Sequence, residues 1–351
     1  MKIAIVGLLH NPIAQPFAGG MESHTWWLAR KLIDRGHQVT LFASGDSDKA
    51  LGLVPCNSSA LAMHPPGQTS AEHYSCSLPA YAEVVRQIQQ SDFDIIHNNA
   101  LYPFLLSHAA ELTAPMLSVI HSPPYDALKT AVRQAMSQDA EHKLALVAVS
   151  KSLSNEWQSI LPLDVVYNGI DMDSWPFVLE VPGEKAIWYG RIVPEKAPHL
   201  AIAAALKAGY NISVAGPIGN DEYFKEKVEP LFECDRVRYL GHLSHSKIKK
   251  ALATASVFVN TPCWEEPYGI VYAEALASGT PVAAFDRGAV GEILTARCGV
   301  TVKDESVDQL AEAIRIAATL SRKDCRQRAE SFCNIDNMVS SYEKIYHHIS
   351  L

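Results

Sequence analysis

Several common chemistries are missing from this chain of 351 residues. Its seven cysteines include no C-x-x-C pair, and no His spacing suits zinc, so neither a dithiol redox site nor a structural zinc is expected. The odd cysteine count points to reduced thiols and a cytoplasmic setting, not to a secreted disulfide framework. Basic residues are outnumbered, 30 Lys and Arg against 38 Asp and Glu. The resulting charge of -8 argues against nucleic acid as a partner and gives no general attraction to anionic membranes. No apolar run approaches membrane-spanning length, so no transmembrane segment is expected and any membrane contact would be peripheral. The opening run MKIAIVGLL is short, His10-Asn11-Pro12 ends it, and no small-residue cleavage site follows; it reads as a buried strand, not a signal peptide. A dinucleotide fingerprint is lacking as well, because Gly7-Leu8-Leu9 does not have G-x-G-x-x-G spacing and no acidic residue closes the second strand.

What is present is ordinary globular composition, 48% hydrophobic and 19% charged, in a chain long enough for two domains. Strand and helix signals alternate. Lys2–Leu8 reads as a strand, HNPIAQPFAGG as a loop, Met21 to Arg35 as a helix, and HQVTLFAS as the next strand. That unit implies a parallel pair with a right-handed crossover. Residues 50–80, rich in Pro, Ser and Gly, read as a variable surface region, followed by a helix over Tyr81–Gln90. DIIHNN, PMLSVIHSPP, LALVAVSKS and VVYNGID (165–171) then read as strands running into polar loops. After an irregular, proline-bearing linker at 172–184 the plan repeats, through KAIWYGRI, NISVAGPI, VRYLGHL, VFVN and PVAAF with helices between them. A helix after Tyr223 should break near Pro230, residues 306–330 should be helical, and Ile335–Ile349 should form a last, more polar helix. The expectation is an α/β protein of two Rossmann-like, doubly wound domains with a cleft between them. Domain one would span 1–170, with 335–351 packing back on it, and domain two 171–334.

The most informative stretch is CWEEPYGIVYAEALASGTP, Cys263 to Pro281. VFVN leads into it as a buried strand, Tyr268 to Ser278 is rich in helix formers, and Gly279 with Pro281 marks a helix stop. A helix N-terminus after a loop is a ready anion site. The carboxylates Glu266 and Glu274 beside it would repel phosphate but, as acceptor-only groups, suit hydroxyls. A ligand with both phosphate and many hydroxyls is a nucleotide sugar. A hydrolase pair is the alternative for the two acids, yet eight residues along a helix rise roughly 12 Å. Glycosidase carboxylates need roughly 5–9.5 Å. Arg191 and Lys196, in YGRIVPEKAPHL at the end of a strand, are either solvated loop cations or the charges that hold a departing diphosphate. Gly19-Gly20 is either a flexible helix start or a place where backbone N–H groups approach that diphosphate. His121, His97 and Ser150 stand at the carboxyl ends of predicted strands, where ligands of open parallel sheets sit; His121 would be the polar group nearest a reacting hydroxyl. His24, one turn into the first helix, would point into the cleft or to solvent. Asp46-x-Asp48, Asp92-x-Asp94 and Asp171-x-Asp173 match a metal-binding D-x-D, but two cations already available for a diphosphate leave no divalent ion required.

Taken in order, AGGMESHTWWLARKLIDRGHQVTLFA, VIHSPP, AVSKS, VVYNGID, YGRIVPEKAPHLAI and EEPYGIVYAEALASGTPVAAF resemble the landmarks of the retaining GT-B glycosyltransferases of family 4. One departure is Ala197, where relatives often carry Gly after the lysine. The resemblance implies sugar transfer from a nucleoside diphosphate with retention of configuration, with no metal or other cofactor. It assigns the diphosphate to Arg191, Lys196 and the Gly19-Gly20 backbone, and the donor-sugar hydroxyls to Glu266. It gives the ribose to Glu274, sugar and phosphate contacts to Tyr268, Gly269, Ile270 and Val271, and the reacting centre to His121. His97 and Ser150 are expected on the acceptor side. The motifs do not separate uridine from guanosine; a UDP-sugar is expected ahead of a GDP-sugar. The acceptor, whether small molecule, lipid-linked or glycan, has no readable code. Two alternatives remain open: a nucleotide-sugar epimerase of the same fold, and a non-catalytic sugar-binding module.

Overall fold

The computed structural model describes residues 1–59, 70–139 and 143–350. They divide into two compact units, Met1–Tyr167 with Asp336–Leu351, and Asn168–Ile335. The first unit holds seven strands: β1 (Lys2–Val6), β2 (Gln38–Ala43), β3 (Leu53–Pro55), β4 (Ile95–Asn98), β5 (Met116–Ile120), β6 (Leu144–Ala148) and β7 (Asp164–Val165). They stand in the order β3-β2-β1-β4-β5-β6-β7, every pair parallel. Its helices include α1 (Gly20–Asp34), α2 (Ser70–Gln89), α3 (Asp126–Gln138) and α4 (Lys151–Trp157). The central strands are short runs of Ile, Val, Leu and Ala, and Ile3 to Val6 are fully buried, as strands covered on both faces must be.

The second unit repeats the plan with β8 (Lys185–Tyr189), β9 (Asn211–Ala215), β10 (Val237–Tyr239), β11 (Val257–Asn260), β12 (Val282–Phe285) and β13 (Gly299–Val302). Its order is β10-β9-β8-β11-β12-β13, again parallel throughout. Its helices include α5 (Pro198–Ala208), α6 (His245–Ala253), α7 (Ile270–Ala277), α8 (Val307–Ala317) and α9 (Arg322–Phe332); α10 (Ile335–Ile349) then carries the chain into the first unit. In each sheet the strand order reverses once, between β1 and β4 and between β8 and β11. Ligands of open parallel sheets bind beyond the carboxyl ends of the strands at such a reversal. No helix among the described residues is long and apolar enough to cross a membrane.

Four local expectations need correction. VVYNGID supplies only its first residue to a strand, Asp164–Val165. Beyond it the chain leaves the sheet, and Ile170 forms an isolated bridge with Asn334 while Gly169 lies so close to Ile335 that a Cβ would stand 2.4 Å from its Cα. The helix expected at Tyr81 begins at Ser70 and runs through Pro79, so proline content disguised its first half. The rest of that variable stretch, 60–69, lies outside the described residues. Residues 306–330 form two helices, α8 and α9, each with its own cap: Ser306 accepts from the Gln309 N–H and Ser321 from the Asp324 N–H. The strand β13 went unread because GVTV is four residues long with only two of them buried. The expected break near Pro230 is a switch from π-helix over Phe224–Val228 to 3-10 helix over Glu229–Glu233.

Helix ends in the second unit converge on one side chain. The buried guanidinium of Arg322 donates to the carbonyls of Val178 (2.6 Å), Ala255 (2.8 Å), Ala253 (2.9 Å) and Ser278 (3.0 Å), and to Thr280 Oγ1 (3.2 Å). Ala253 and Ser278 stand at the ends of α6 and α7, where the last carbonyls have no partner within their own helix. Gly279, in the left-handed region at φ 76°, lets the chain turn away there. Lysine cannot reproduce a planar fork of five donors. Arg322→Lys is therefore expected to cost about 2–3 kcal/mol. At this domain size the melting temperature should fall by roughly 4–12 °C, which calorimetry would read.

Candidate functional site

At the reversal in the second sheet, β8 runs into Gly190 and Arg191 and β11 runs into Thr261. Arg191 is exposed, and among the described residues no hydrogen bond or ion pair holds its guanidinium. A 3-10 turn, Pro194–Lys196, follows it, and then Ala197 adopts the left-handed conformation (φ 40°, ψ 52°) to start α5. Thr261 ties the two loops together, its hydroxyl lying 2.9 Å from the carbonyl oxygens of both Lys196 and Ala197. A backbone bond from Cys263 N–H to Glu195 O (2.8 Å) reinforces the tie. Lys196 Nζ forms an ion pair with Glu266 Oε2 and lies 5.3 Å from the ring centre of Trp264. Their side chains are only 19% and 12% exposed, so this pair is partly withdrawn from water and removing one partner would strand the other.

The backbone of Glu266 is held from the far side. The Ala289 N–H donates to Glu266 O (3.0 Å), and the Gly288 N–H donates to the Glu265 carboxylate. Gly288 adopts φ 64°, and a Cβ on it would stand 2.1 Å from Glu266 O, so only glycine permits the approach. Gly269, at φ 79°, precedes α7 with no side-chain cap, leaving Ile270 and Val271 half-buried at the helix start. Because α7 begins at Ile270, only part of the interval between Glu266 and Glu274 is helical, and straight-helix spacing does not apply to the pair. Glu274 is buried inside α7, and burial pushes its carboxyl up to about 8. Tyr268 is buried, its hydroxyl donating to the Asn168 carbonyl at 2.6 Å, so its polar end is spent within the unit.

Two sequence families meet in this chain: Glycosyltransferase Family 4 matches residues 18–174 and Glycosyl transferases group 1 matches 171–332. The chain belongs to glycosyltransferase family 4. It is 27% identical over 286 residues to a glycogen synthase of Mycobacterium tuberculosis, covering 72% of this chain and 68% of that one. It is also 27% identical over 324 residues to a phosphatidyl-myo-inositol mannosyltransferase of Mycolicibacterium smegmatis, covering 86% and 82%. In fold it matches a glycosyltransferase of Rickettsia africae (TM-score 0.78, 17% identity, 99% and 98% covered). It also matches Anabaena HepE in complex with UDP and glucose (TM-score 0.75, 19% identity, 98% and 99% covered). These likenesses establish the two-domain GT-B fold and glycosyltransferase activity.

In the first unit of this glycosyltransferase, His97 lies within β4 and His121 just beyond β5, both buried. His24 is buried as well, which removes the solvent-facing alternative: its ring meets that of His121 edge-on at 5.1 Å, and neither of its nitrogens finds a hydrogen-bond partner among the described residues. Burial lowers all three imidazoles, His24 to about 4, His97 to about 3 and His121 well below the usual value, so all are neutral at pH 7. Ser150 caps α4, accepting from the Leu153 N–H at 3.0 Å. Gly19 caps α1 without a side chain, and Gly20 opens the helix. Beside them Glu22, buried in the first turn and held by Asn11 (2.9 Å), puts a carboxylate where the two glycines alone suggested a purely phosphate-friendly loop. Two of the three D-x-D pairs have structural work: Asp48 accepts from Ala50 N–H and Trp26 Nε1, while Asp92 and Asp94 hold Lys2. No group of three potential metal ligands occurs among the described residues.

Sequence reading missed Thr261, Gly288, Glu22 and Asn99. A small or polar residue just past a predicted strand end was the available signal for Thr261, Gly288 and Asn99; Glu22, in the first turn of α1, offered only an acid beside Gly19-Gly20. Ala197 yields a direct test, being the sole non-glycine residue with positive φ among those described. Its left-handed backbone costs about 1–2 kcal/mol. Glycine would relieve that strain but lose a buried methyl and add unfolded-state entropy of about 0.5–1 kcal/mol. Ala197→Gly is expected to change stability by under about 1 kcal/mol, whereas Ala197→Val, β-branched at positive φ, should lose more than about 2 kcal/mol in urea unfolding.

Proposed function

We propose that the enzyme transfers a hexosyl group from a nucleoside diphosphate sugar, a UDP-sugar ahead of a GDP-sugar, to an acceptor hydroxyl with retention at the anomeric carbon. The observation that carries this reading is the arrangement at the reversal of the second sheet. An exposed Arg191, unpartnered among the described residues, stands beside a partly buried Lys196–Glu266 pair and an uncapped helix start at Gly269. Cations and free amides suit a diphosphate, and carboxylates suit sugar hydroxyls. The UDP and glucose bound by HepE agree with such a donor.

In the proposed step the bond from the anomeric carbon to the diphosphate breaks while the acceptor oxygen bonds to the same face. The departing β-phosphate takes the acceptor's proton, and Arg191 and Lys196 hold its growing charge, so they act more strongly in the transition state than in the ground state. Glu266 reads donor-sugar hydroxyls; as the ligand enters, Lys196 shares its charge between this carboxylate and phosphate. Glu274 reads the ribose. Tyr268 shapes the loop, and Ile270 and Val271 offer backbone N–H groups after Gly269. In the first unit, Gly19 and Gly20 permit close backbone approach, with Glu22 favouring hydroxyls there, and His121 meets a substrate hydroxyl. His97 and Ser150 support the acceptor side. With two cations supplying the countercharge, no metal is required, and a chelator should leave turnover unchanged.

Thermal-shift screening of UDP- and GDP-sugars, followed by diphosphate release against candidate acceptors, tests the reading. A donor that binds without ever releasing diphosphate would favour a sugar-binding module, and donor isomerisation without acceptor an epimerase. An inverted product anomer would overturn retention. Arg191→Ala should reduce turnover by roughly 10²–10³, and near-wild-type turnover would remove Arg191 from the mechanism.

Glu274 gives a pH test. Its carboxyl is held protonated up to about 8 in the free protein, so a ribose that binds the carboxylate form must release a proton. Nucleotide affinity should therefore tighten as pH rises towards that value and then level off. Calorimetry across this range should see proton release, and Glu274→Gln should abolish it. The same raised value means that folding stability falls as pH climbs through the window, because the unfolded chain ionises first.

A further inference from the structure

A chain of hydrogen bonds in the first unit ends on His121. Tyr346, on α10, places its hydroxyl 2.6 Å from His97 Nδ1. The other nitrogen of that ring, Nε2, lies 3.1 Å from Asn99 Oδ1, and His121 Nε2 lies 3.1 Å from the same oxygen. The Asn99 amide nitrogen is occupied by Thr25 Oγ1 at 3.3 Å, and its backbone N–H by Val6 O at 2.9 Å. The rings of Tyr342 and Tyr346 stand edge-on to His97, 4.9 and 5.8 Å away. All these side chains are buried except for a small opening at His121, which is 9% exposed.

The donor and acceptor roles follow from one oxygen. A carbonyl oxygen only accepts, so both imidazoles facing Asn99 Oδ1 must carry their proton on Nε2. A neutral imidazole has a single N–H, so both Nδ1 atoms carry a lone pair. In His97 that lone pair takes the Tyr346 O–H. In His121 it makes no hydrogen bond among the described residues, and the residue keeps 9% of its surface exposed.

We propose that Tyr346, His97 and Asn99 are positioning residues that lock His121 in its Nε2–H form, so that Nδ1 presents a lone pair to a substrate hydroxyl. This rests on the reading of His121 given above and deepens it by naming the atom, its role and the residues behind it. Tyr346 touches no substrate; it acts through two intervening side chains. Without its hydroxyl, His97 can move its proton to Nδ1, Asn99 must then turn its amide to donate, and His121 loses the acceptor that holds its tautomer.

Tyr346→Phe deletes one oxygen and keeps the buried ring. Long-range 15N–1H spectra of the histidine-labelled full chain should show His121 and His97 as Nε2–H tautomers in the wild type, and a mixed population in the variant. A wild-type Nδ1–H signal for His121 overturns the proposal, and this reading needs no substrate, so it stands apart from any failure of the glycosyltransfer reading. In turnover, Tyr346→Phe should lose roughly tenfold, the low end of what outer-shell partners of metal-bound histidines contribute. A loss in kcat marks the hydroxyl as the acceptor's; a rise in donor KM at constant kcat marks it as the donor sugar's. In a His121→Asn background the loss should vanish, since the lone pair it protects is gone. An equal loss in both backgrounds would mean that Tyr346 acts without His121 and would overturn the proposal.

Discussion

Parallel strands with right-handed crossovers impose the constraint on which this structure depends. Each sheet starts with a central strand, builds outward on one side and then jumps back to build on the other. The jump leaves two neighbouring strands, β1 with β4 and β8 with β11, whose following loops diverge and open a space at their carboxyl ends. Several of the chemically distinctive side chains lie after those strands or their neighbours. Arg191 follows β8, Glu266 follows β11, Asn99 follows β4 and His121 follows β5.

The two units use that space differently. In the second, charge dominates: Arg191 is exposed and without a partner among the described residues, Lys196 is matched to a carboxylate, and a second carboxylate is kept neutral by burial. In the proposed reading a site with Glu266 and no Lys196 would repel phosphate, whereas the ion pair holds both side chains in place within the free protein. In the first unit the same position holds neutral imidazoles, whose value lies in where the protons sit. Burial lowers their basicity and so turns a set of possible cations into fixed donors and acceptors.

Glycine placement supports the arrangement in the second unit through close approach. Gly288 lets a second loop hold the Glu266 backbone, and Gly269 turns the chain into α7 without adding bulk beside Tyr272. Ala197 breaks this pattern by holding a left-handed conformation with a side chain. Its buried methyl and the Thr261 hydroxyl on its carbonyl keep it there, so packing overrides the local preference of the backbone.

The alternation of strand and helix was legible because period and propensity are local. KIAIV, KAIWY and VFVN announce buried strands, and Gly279 with Pro281 announces the end of α7. The order of motifs was equally plain, and with it the family. Partners were not legible. Lys196 and Glu266 are 70 residues apart, and His97 and Tyr346 are 249 apart. Nothing in either local stretch states which side chain will face it. His24 could be read as facing a cleft or solvent because one turn of helix shows a face without showing what covers it. Tyr346, on a helix that reads as polar, gave no sign of reaching a buried histidine. Short-range sequence thus determined which elements form and which residue types stand at their ends. The tertiary structure alone decided which charges are paired, which acid is neutral and which nitrogen of His121 is left open, because each depends on burial and on partners brought together only by folding.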